Sequence, residues 1–421
     1  MSAPLVLRAG GDGLQLRLCQ VPGAPMVSLR CLLLGGARLE THPGQAVITG
    51  RLLSEGSQRR SWSEIAEDAE GRGMAIHSSG SFEGHGVSID ALAVDAALAL
   101  EWLAELVLTP SFPEERCTWL RRQGAAELES LADQPEVRTS WAFQRQLYVP
   151  HPRSRPVQGT AEGLAAFGAE ECGEFHRRAL QRGVLLTIAG DLSGEPAEVD
   201  QEALAARAEE LFAGLTRGGG PDEEPAPPQG LPELRQEIPV QGDQAHLFAG
   251  HLTVPRNHPD AAALEVLAVI LGAGSGLSGR LPTRIREREG LAYSTQVHTL
   301  SGAGLDPGRL AVYVGTSAAT VEQAEKGVRE ELERLLSDGV DEEELAEAKS
   351  YLLGREAFRR ETARQWAELM LDAELYGLPL DHPHWRLEQL EAVDRSSVEA
   401  AAGRHLRPRE LRVTVGLPTG S

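Results

Sequence analysis

The chain has 421 residues, enough for two domains of about 200 residues each. Its composition, 41% hydrophobic and 24% charged residues, is typical of a soluble globular protein. The net charge of −21 argues against a nucleic-acid partner, whose phosphates would repel the protein. An acidic chamber that attracts basic peptides would explain this charge, and so would solubility alone.

The N-terminal sequence contains no basic segment followed by an apolar core, and no uncharged apolar run reaches the roughly 18 residues that cross a membrane. The four cysteines show neither CxxC pairs nor the spacing of a disulfide framework. We therefore expect a cytoplasmic protein with reduced cysteines and no membrane partner.

The apolar periodicity predicts the same series of elements twice. The first series contains strands at 14–21 and 27–34, a helix at 45–53, strands within 76–92, a long amphipathic helix at 94–108, a capped helix from 113 and a last strand at 184–189. The second contains strands at 237–240 and 245–252, a helix at 261–271, strands within 292–314, a helix at 321–336, a capped acidic helix and a last strand at 411–415.

A segment rich in Pro, Gly and Glu separates the two series and reads as an extended linker. This pattern predicts a first domain over residues 1–215, a linker over 216–235 and a second domain over 236–421. Strands grouped together and helices grouped together favour an α+β fold. Each domain is expected to contain an antiparallel sheet packed by helices.

The most specific motif is GLSGRLPTRIREREGLAYSTQVHTL, residues 276–300, in which a Gly-rich turn leads through a helix into a strand marked by Gly-Leu-Ala-Tyr. Together with the duplicated plan, it resembles the pitrilysin (insulinase-like) zinc peptidases, which include mitochondrial processing peptidase. The resemblance implies two homologous domains in a clamshell. It also implies that Arg286 binds the substrate backbone and that Tyr293 stabilises the oxyanion.

A simpler interpretation makes Arg286 one of four arginines on a solvated helix and Tyr293 a half-buried strand aromatic. The flanking glycines and the GLAY sequence favour the functional role. The resemblance further implies that Gly272, Gly274 and Gly276 border a substrate chamber, with a plain helix-breaking turn as the alternative.

The corresponding segment of the first half lacks the metal ligands. Active members of the family carry H-x-x-E-H on a helix, where two histidines bind zinc and the glutamate activates water. These positions are Val47, Gly50 and Arg51 in this chain. The family's third ligand falls near Glu127, and a single carboxylate cannot hold a catalytic zinc ion. We therefore expect no metal and no cofactor in this chain.

No other histidine spacing supplies a zinc site. His382 and His384 are two residues apart and would not share one face of a helix. His77 and His85 lie on the segment where the family pairs extended peptides by strand addition, and we expect both at the surface.

The chain thus keeps the Arg/Tyr pair and lacks the zinc motif. The resemblance implies a non-zinc subunit of a heterodimeric metallopeptidase, inactive alone. Its partner would carry H-x-x-E-H and the zinc ion, and its substrate would be a peptide. The alternative is a catalytically inert scaffold or peptide-binding homologue, like the complex III core proteins. Under this alternative the chain would associate with itself.

Overall fold

The computed structural model describes residues 6–192, 200–218, 224–274, 278–379 and 385–419, with side chains from residue 10 onward. The chain forms two compact units. The first contains residues 1–128, 156–225 and 358–383, and the second contains residues 129–155, 226–357 and 384–421.

The first unit contains a six-stranded sheet. Its strands are β1 (Val6–Ala9), β2 (Leu14–Gln20), β3 (Met26–Leu34), β4 (Ala75–Gly80), β5 (Gly84–Leu92) and β6 (Val184–Gly190). Their order is β1-β2-β6-β3-β5-β4, in which β2 and β6 are parallel and the other neighbours are antiparallel.

The second unit contains a five-stranded sheet. Its strands are β7 (Arg235–Val240), β8 (Ala245–Leu252), β9 (Ala292–Ser301), β10 (Arg309–Thr316) and β11 (Arg412–Pro418). Their order, β7-β11-β8-β10-β9, repeats β2-β6-β3-β5-β4, and the equivalent pair β7 and β11 is again parallel. The predicted α+β fold and its duplication are confirmed. Each sheet has one parallel pair because its last strand returns through helices and lies between two earlier strands. This strand is β6, between β2 and β3, in the first sheet and β11, between β7 and β8, in the second.

Helices follow the strands in both halves of the chain. The first half contains α1 (Gln45–Leu52), α2 (Trp62–Gly71), α3 (Ala96–Leu108), α4 (Glu114–Ala132), α5 (Pro135–Tyr148), α6 (Ala161–Ala165), α7 (Ala169–Arg182) and α8 (Gln201–Leu211). The second contains α9 (Ala261–Ala268), α10 (Val321–Asp338), α11 (Glu342–Glu356), α12 (Ala363–Tyr376), α13 (Trp385–Ala392) and α14 (Arg395–His405), and two π-helical segments, Val269–Ala273 and Pro282–Arg288.

One face of each sheet packs on a helical layer that contains the main apolar core. In the first unit, α3 contributes Leu100, Leu103 and Val107, whose spacing of three and four residues places them on one helix face. In the second unit, α10 contributes Val328 and Leu332 in the same way. The apolar residues whose periodicity predicted these helices are therefore the residues that are buried in the core.

The opposite face of each sheet is covered by a helix encoded in the other half of the chain. Helix α12 belongs to the first unit, where Thr187 donates a hydrogen bond to the carbonyl oxygen of Ala367 (2.8 Å). Helix α5 belongs to the second unit, where Phe143 stacks on Phe248 with ring centroids 5.8 Å apart. The compact units therefore differ from the predicted continuous domains, 1–215 and 236–421. The helix that covers the second apolar face of each sheet comes from the other half of the chain, α12 in the first unit and α5 in the second.

The Pro-rich segment has neither helix nor strand in its described parts, 215–218 and 224–234. Its later part is nevertheless fixed within the second unit. The backbone N–H groups of Gln229 and Gly230 donate to the carbonyl oxygen of Val149, at 3.0 and 2.8 Å. Its role as a domain boundary stays a prediction.

Among the described residues, no helix has both the length and the apolar character needed to cross a membrane.

Candidate functional site

Helix α1 contains the three positions that the sequence resemblance assigns to the zinc motif, and none of them is a metal ligand. Val47 is buried at 8% exposure, Gly50 is buried, and Arg51 is half-buried with 31% of its side chain exposed. An aliphatic side chain, a glycine and a guanidinium offer neither ligands for zinc nor a general base.

Arg51 is paired with the carboxylate predicted at the third ligand position. Its Nη2 lies 3.0 Å from Oε2 of Glu127, and its Nη1 lies 3.4 Å from Oε1. The fork of the guanidinium therefore faces both carboxylate oxygens. One carboxylate cannot supply the three protein ligands that a catalytic zinc ion needs, so these residues do not fit a zinc ion.

The space for a catalytic side chain on α1 is also closed. A Cβ atom built on Gly50 would lie 2.3 Å from the carbonyl group of Ser79 on β4. A Cβ on Gly80 would lie 2.2 Å from the carbonyl oxygen of Ala46 on α1. The hydroxyl of Ser78 also donates to the carbonyl oxygen of Arg51 at 3.0 Å. Helix α1 and strand β4 are therefore in direct backbone contact, and a glutamate at position 50 would need the strand to move.

Tyr293 lies at a bulge near the start of the edge strand β9. Ala292 pairs with Thr316 and Ser294 pairs with Gly315, which leaves Tyr293 as an extra residue with no partner on β10. A regular strand would place Tyr293 on the same face as the buried Thr295. The bulge turns it outward instead, and it is 79% exposed. This exposure differs from the half-buried aromatic of the simpler interpretation.

The four arginines before β9 divide into two kinds. Arg280 makes two hydrogen bonds to Glu344, at 2.9 and 2.8 Å, and Arg284 pairs with Glu289 at 2.9 Å, so both are fixed by ion pairs. Arg286 is exposed on the π-helical segment 282–288 and has no hydrogen bond or ion pair within the described part of the chain. Its guanidinium is therefore available to a ligand.

The Gly-rich turn is partly a packing element. Gly272 is buried with φ of +135°, and a Cβ there would lie 2.5 Å from Pro282. Gly274 lines a cavity of about 370 Å³ whose wall includes the ion-paired Arg280 and Arg284. Gly276 lies outside the described residues. A substrate-binding role for these three glycines stays a prediction.

The expectation of a surface position for His85 is wrong. His85 lies on β5 beneath α7, is fully buried, and its Nε2 is 3.1 Å from Nδ1 of His176. The Nε2 of His176 lies 2.8 Å from the carbonyl oxygen of Val107, so this nitrogen carries a proton and Nδ1 accepts from His85. Burial lowers the pKa of His176 to about 4, and burial, His176 and Arg182 lower the pKa of His85 well below its usual value. Both rings are therefore neutral, and His77 alone of the two strand histidines is exposed.

Comparison with known proteins agrees with this fold. Residues 197–352 match the family model described as the peptidase M16 inactive domain. The predicted resemblance to the pitrilysin-type (M16) peptidases is thereby confirmed, and residues 197–352 are similar to the inactive domain of that family.

Individual relatives extend the likeness over most of the chain. A Mycobacterium tuberculosis protein named an uncharacterized zinc protease is 29% identical over 389 residues, covering 90% of this chain and 85% of the relative. A Helicobacter pylori protein named a non-peptidase homologue is 23% identical over 397 residues, covering 93% and 89%. The crystal structure of a peptidase M16 inactive domain from Pseudomonas fluorescens superposes with a TM-score of 0.86 at 25% identity, covering 99% of both chains.

Proposed function

We propose that this chain is the non-zinc subunit of a heterodimeric pitrilysin-type metallopeptidase. It is inactive alone, closes the peptide chamber and donates Arg286 and Tyr293 to a partner that carries H-x-x-E-H. The observation that carries the proposal is the contrast between two sites. The metal position is closed by the Arg51–Glu127 pair, whereas Tyr293 is turned out to 79% exposure by a bulge.

The chemistry of the two side chains fits a peptide substrate. An exposed phenol can donate a hydrogen bond to a peptide carbonyl oxygen as that oxygen gains negative charge, which stabilises the transition state. An unpaired guanidinium supplies permanently charged donors that hold backbone carbonyls before the reaction. Tyr293 therefore acts on turnover, and Arg286 acts on substrate binding as well.

Strand β4 supports peptide binding in a second way. It is the last strand in the order of the first sheet and pairs with β5 on one side. An extended peptide can add to the other side of such a strand through main-chain hydrogen bonds. The catalytic zinc ion of the assembly belongs to the partner. A cytoplasmic location is also part of the proposal.

The name of the Helicobacter pylori relative, a non-peptidase homologue, favours a second candidate, a catalytically inert scaffold or peptide-binding protein. Under this second candidate the chain would associate with itself. Co-purification distinguishes the two. The proposal expects an affinity-tagged chain to retain an H-x-x-E-H protein in a stable complex with peptidase activity. Recovery of a homodimer alone, with no such partner, would support the scaffold.

A further inference from the structure

The second unit contains two histidines and an aspartate that converge where helices α9 and α14 meet. His258 and Asp260 lie in the turn before α9, and His405 is the last residue of α14. One ligand atom from each residue lies within 4.8 Å of the other two. Because α9 and α14 are both anchored in the core, through Leu264 and Val398, the backbone positions of the three residues are fixed.

The three side chains present their polar atoms to one another. Oδ2 of Asp260 lies 2.6 Å from Nε2 of His405 and 3.9 Å from Nδ1 of His258, and the two imidazole rings meet edge to face at 5.2 Å. Two imidazoles and one carboxylate form a ligand set that zinc and similar divalent ions accept. We propose that His258, Asp260 and His405 bind a divalent transition-metal ion of the zinc class, with water completing its coordination.

Arg404 competes with the ion for the same carboxylate. Its Nε and Nη2 lie 2.9 and 2.8 Å from the two oxygens of Asp260. Both oxygens of Asp260 therefore face the guanidinium, as in a bidentate ion pair. The Arg404 side chain is 55% exposed and can withdraw from Oδ2 while keeping a hydrogen bond to Oδ1, as outer partners of metal ligands do.

Binding must also rearrange two hydrogen bonds. Two nitrogen or oxygen ligands of one tetrahedral zinc ion lie roughly 3.3 Å apart, since each bond is about 2.0 Å. The ion therefore replaces the proton between Asp260 and His405 and widens that 2.6 Å contact. His258 in turn gives up the hydrogen bond that its Nδ1 accepts from the backbone N–H of Asp260 (3.1 Å). The bound ion would join the start of α9 to the end of α14 and stabilise the second unit.

The test is calorimetric titration of the chelator-treated full chain with zinc chloride. We expect one ion per chain and a loss of at least about tenfold in affinity for His258→Ala and for His405→Ala. Arg404→Gln should bind roughly tenfold more tightly, because it removes the competing cation. His77→Ala, an exposed histidine elsewhere, is the matched control and should equal the wild type. Saturating zinc should raise the Tm of the wild type, and it should raise that of His405→Ala by a smaller amount.

The absence of saturable zinc binding in the wild type would overturn the proposal, and so would equal affinity in the wild type and His405→Ala. Weaker binding by Arg404→Gln would refute the competition that the geometry requires. Misfolding of a variant could explain a loss of zinc affinity, but it cannot explain the gain that is expected for Arg404→Gln. The inference does not rest on the proposed function, and Glu127→Gln, which alters the α1 position, should leave the titration unchanged.

Discussion

Replacement of Tyr293 by phenylalanine separates catalysis from folding. The change removes one hydroxyl from a ring that is 79% exposed, and that hydroxyl has no hydrogen-bond partner in the described part of the chain. The free energy of unfolding should therefore change by no more than about 0.5 kcal/mol. Loss of an oxyanion donor, in contrast, typically raises the barrier by roughly 3 kcal/mol, which lowers kcat about a hundredfold or more.

The assay is cleavage of a quenched fluorescent peptide by the complex with an H-x-x-E-H partner. Tyr293→Phe should lower kcat with little change in KM, because its hydroxyl acts mainly in the transition state. Arg286→Ala should also raise KM, because it removes a contact to the bound peptide. Arg288→Ala is the matched control, since Arg288 is a neighbouring exposed arginine that the family motif does not select.

Two results would refute this reasoning. Full activity of both Tyr293→Phe and Arg286→Ala beside an active partner would leave the chain as a scaffold. A marked fall in the Tm of Tyr293→Phe would show that the phenol is a packing element, contrary to its exposure at the bulge.

Three further predictions follow from packing and charge. Gly50→Ala should destabilise the protein by about 1–3 kcal/mol in denaturant titration, because its Cβ would clash with Ser79. The control Gly354→Ala, whose Cβ would meet no atom within 4 Å, should be neutral or slightly stabilising. Equal effects of the two variants would contradict the contact between α1 and β4. Between pH 6.5 and about 4 the unfolded chain binds a proton at His176 and the folded chain does not, so the free energy of unfolding should fall as the pH is lowered, by about 2 kcal/mol at pH 5. His176→Gln should reduce this pH dependence, and the control His77→Gln should not. Phe143→Ala should cost about 3–5 kcal/mol and raise hydrogen exchange in β8, where Phe248 lies; unchanged exchange there would contradict the placement of α5.

Much of the fold could be predicted because its local patterns agree with its packing. Leu14, Leu16 and Leu18 alternate in β2 and are all buried, and the predicted repeat of strands and helices is present in both halves of the chain. The exchange of α5 and α12 could not be predicted, because an amphipathic helix shows which of its faces is buried and not which sheet covers it.

The candidate site likewise has features that the sequence predicts and features that it does not. The absence of ligands at Val47, Gly50 and Arg51 is visible in the sequence, and the resemblance placed a carboxylate at Glu127, which does pair with Arg51. The outward turn of Tyr293 depends on a bulge that period-two alternation does not reveal. The burial of His85 and the convergence of His258 with His405 join residues distant in sequence, so no local spacing indicates them.

Activation of a partner is the central claim, and titration tests it most directly. A purified H-x-x-E-H chain with little activity of its own is mixed with increasing amounts of this chain, and peptide cleavage is followed at constant zinc. We predict that activity rises to a plateau at one chain per partner, and that this chain alone cleaves nothing. No rise in activity at any ratio, although the two chains form a complex, would contradict the account.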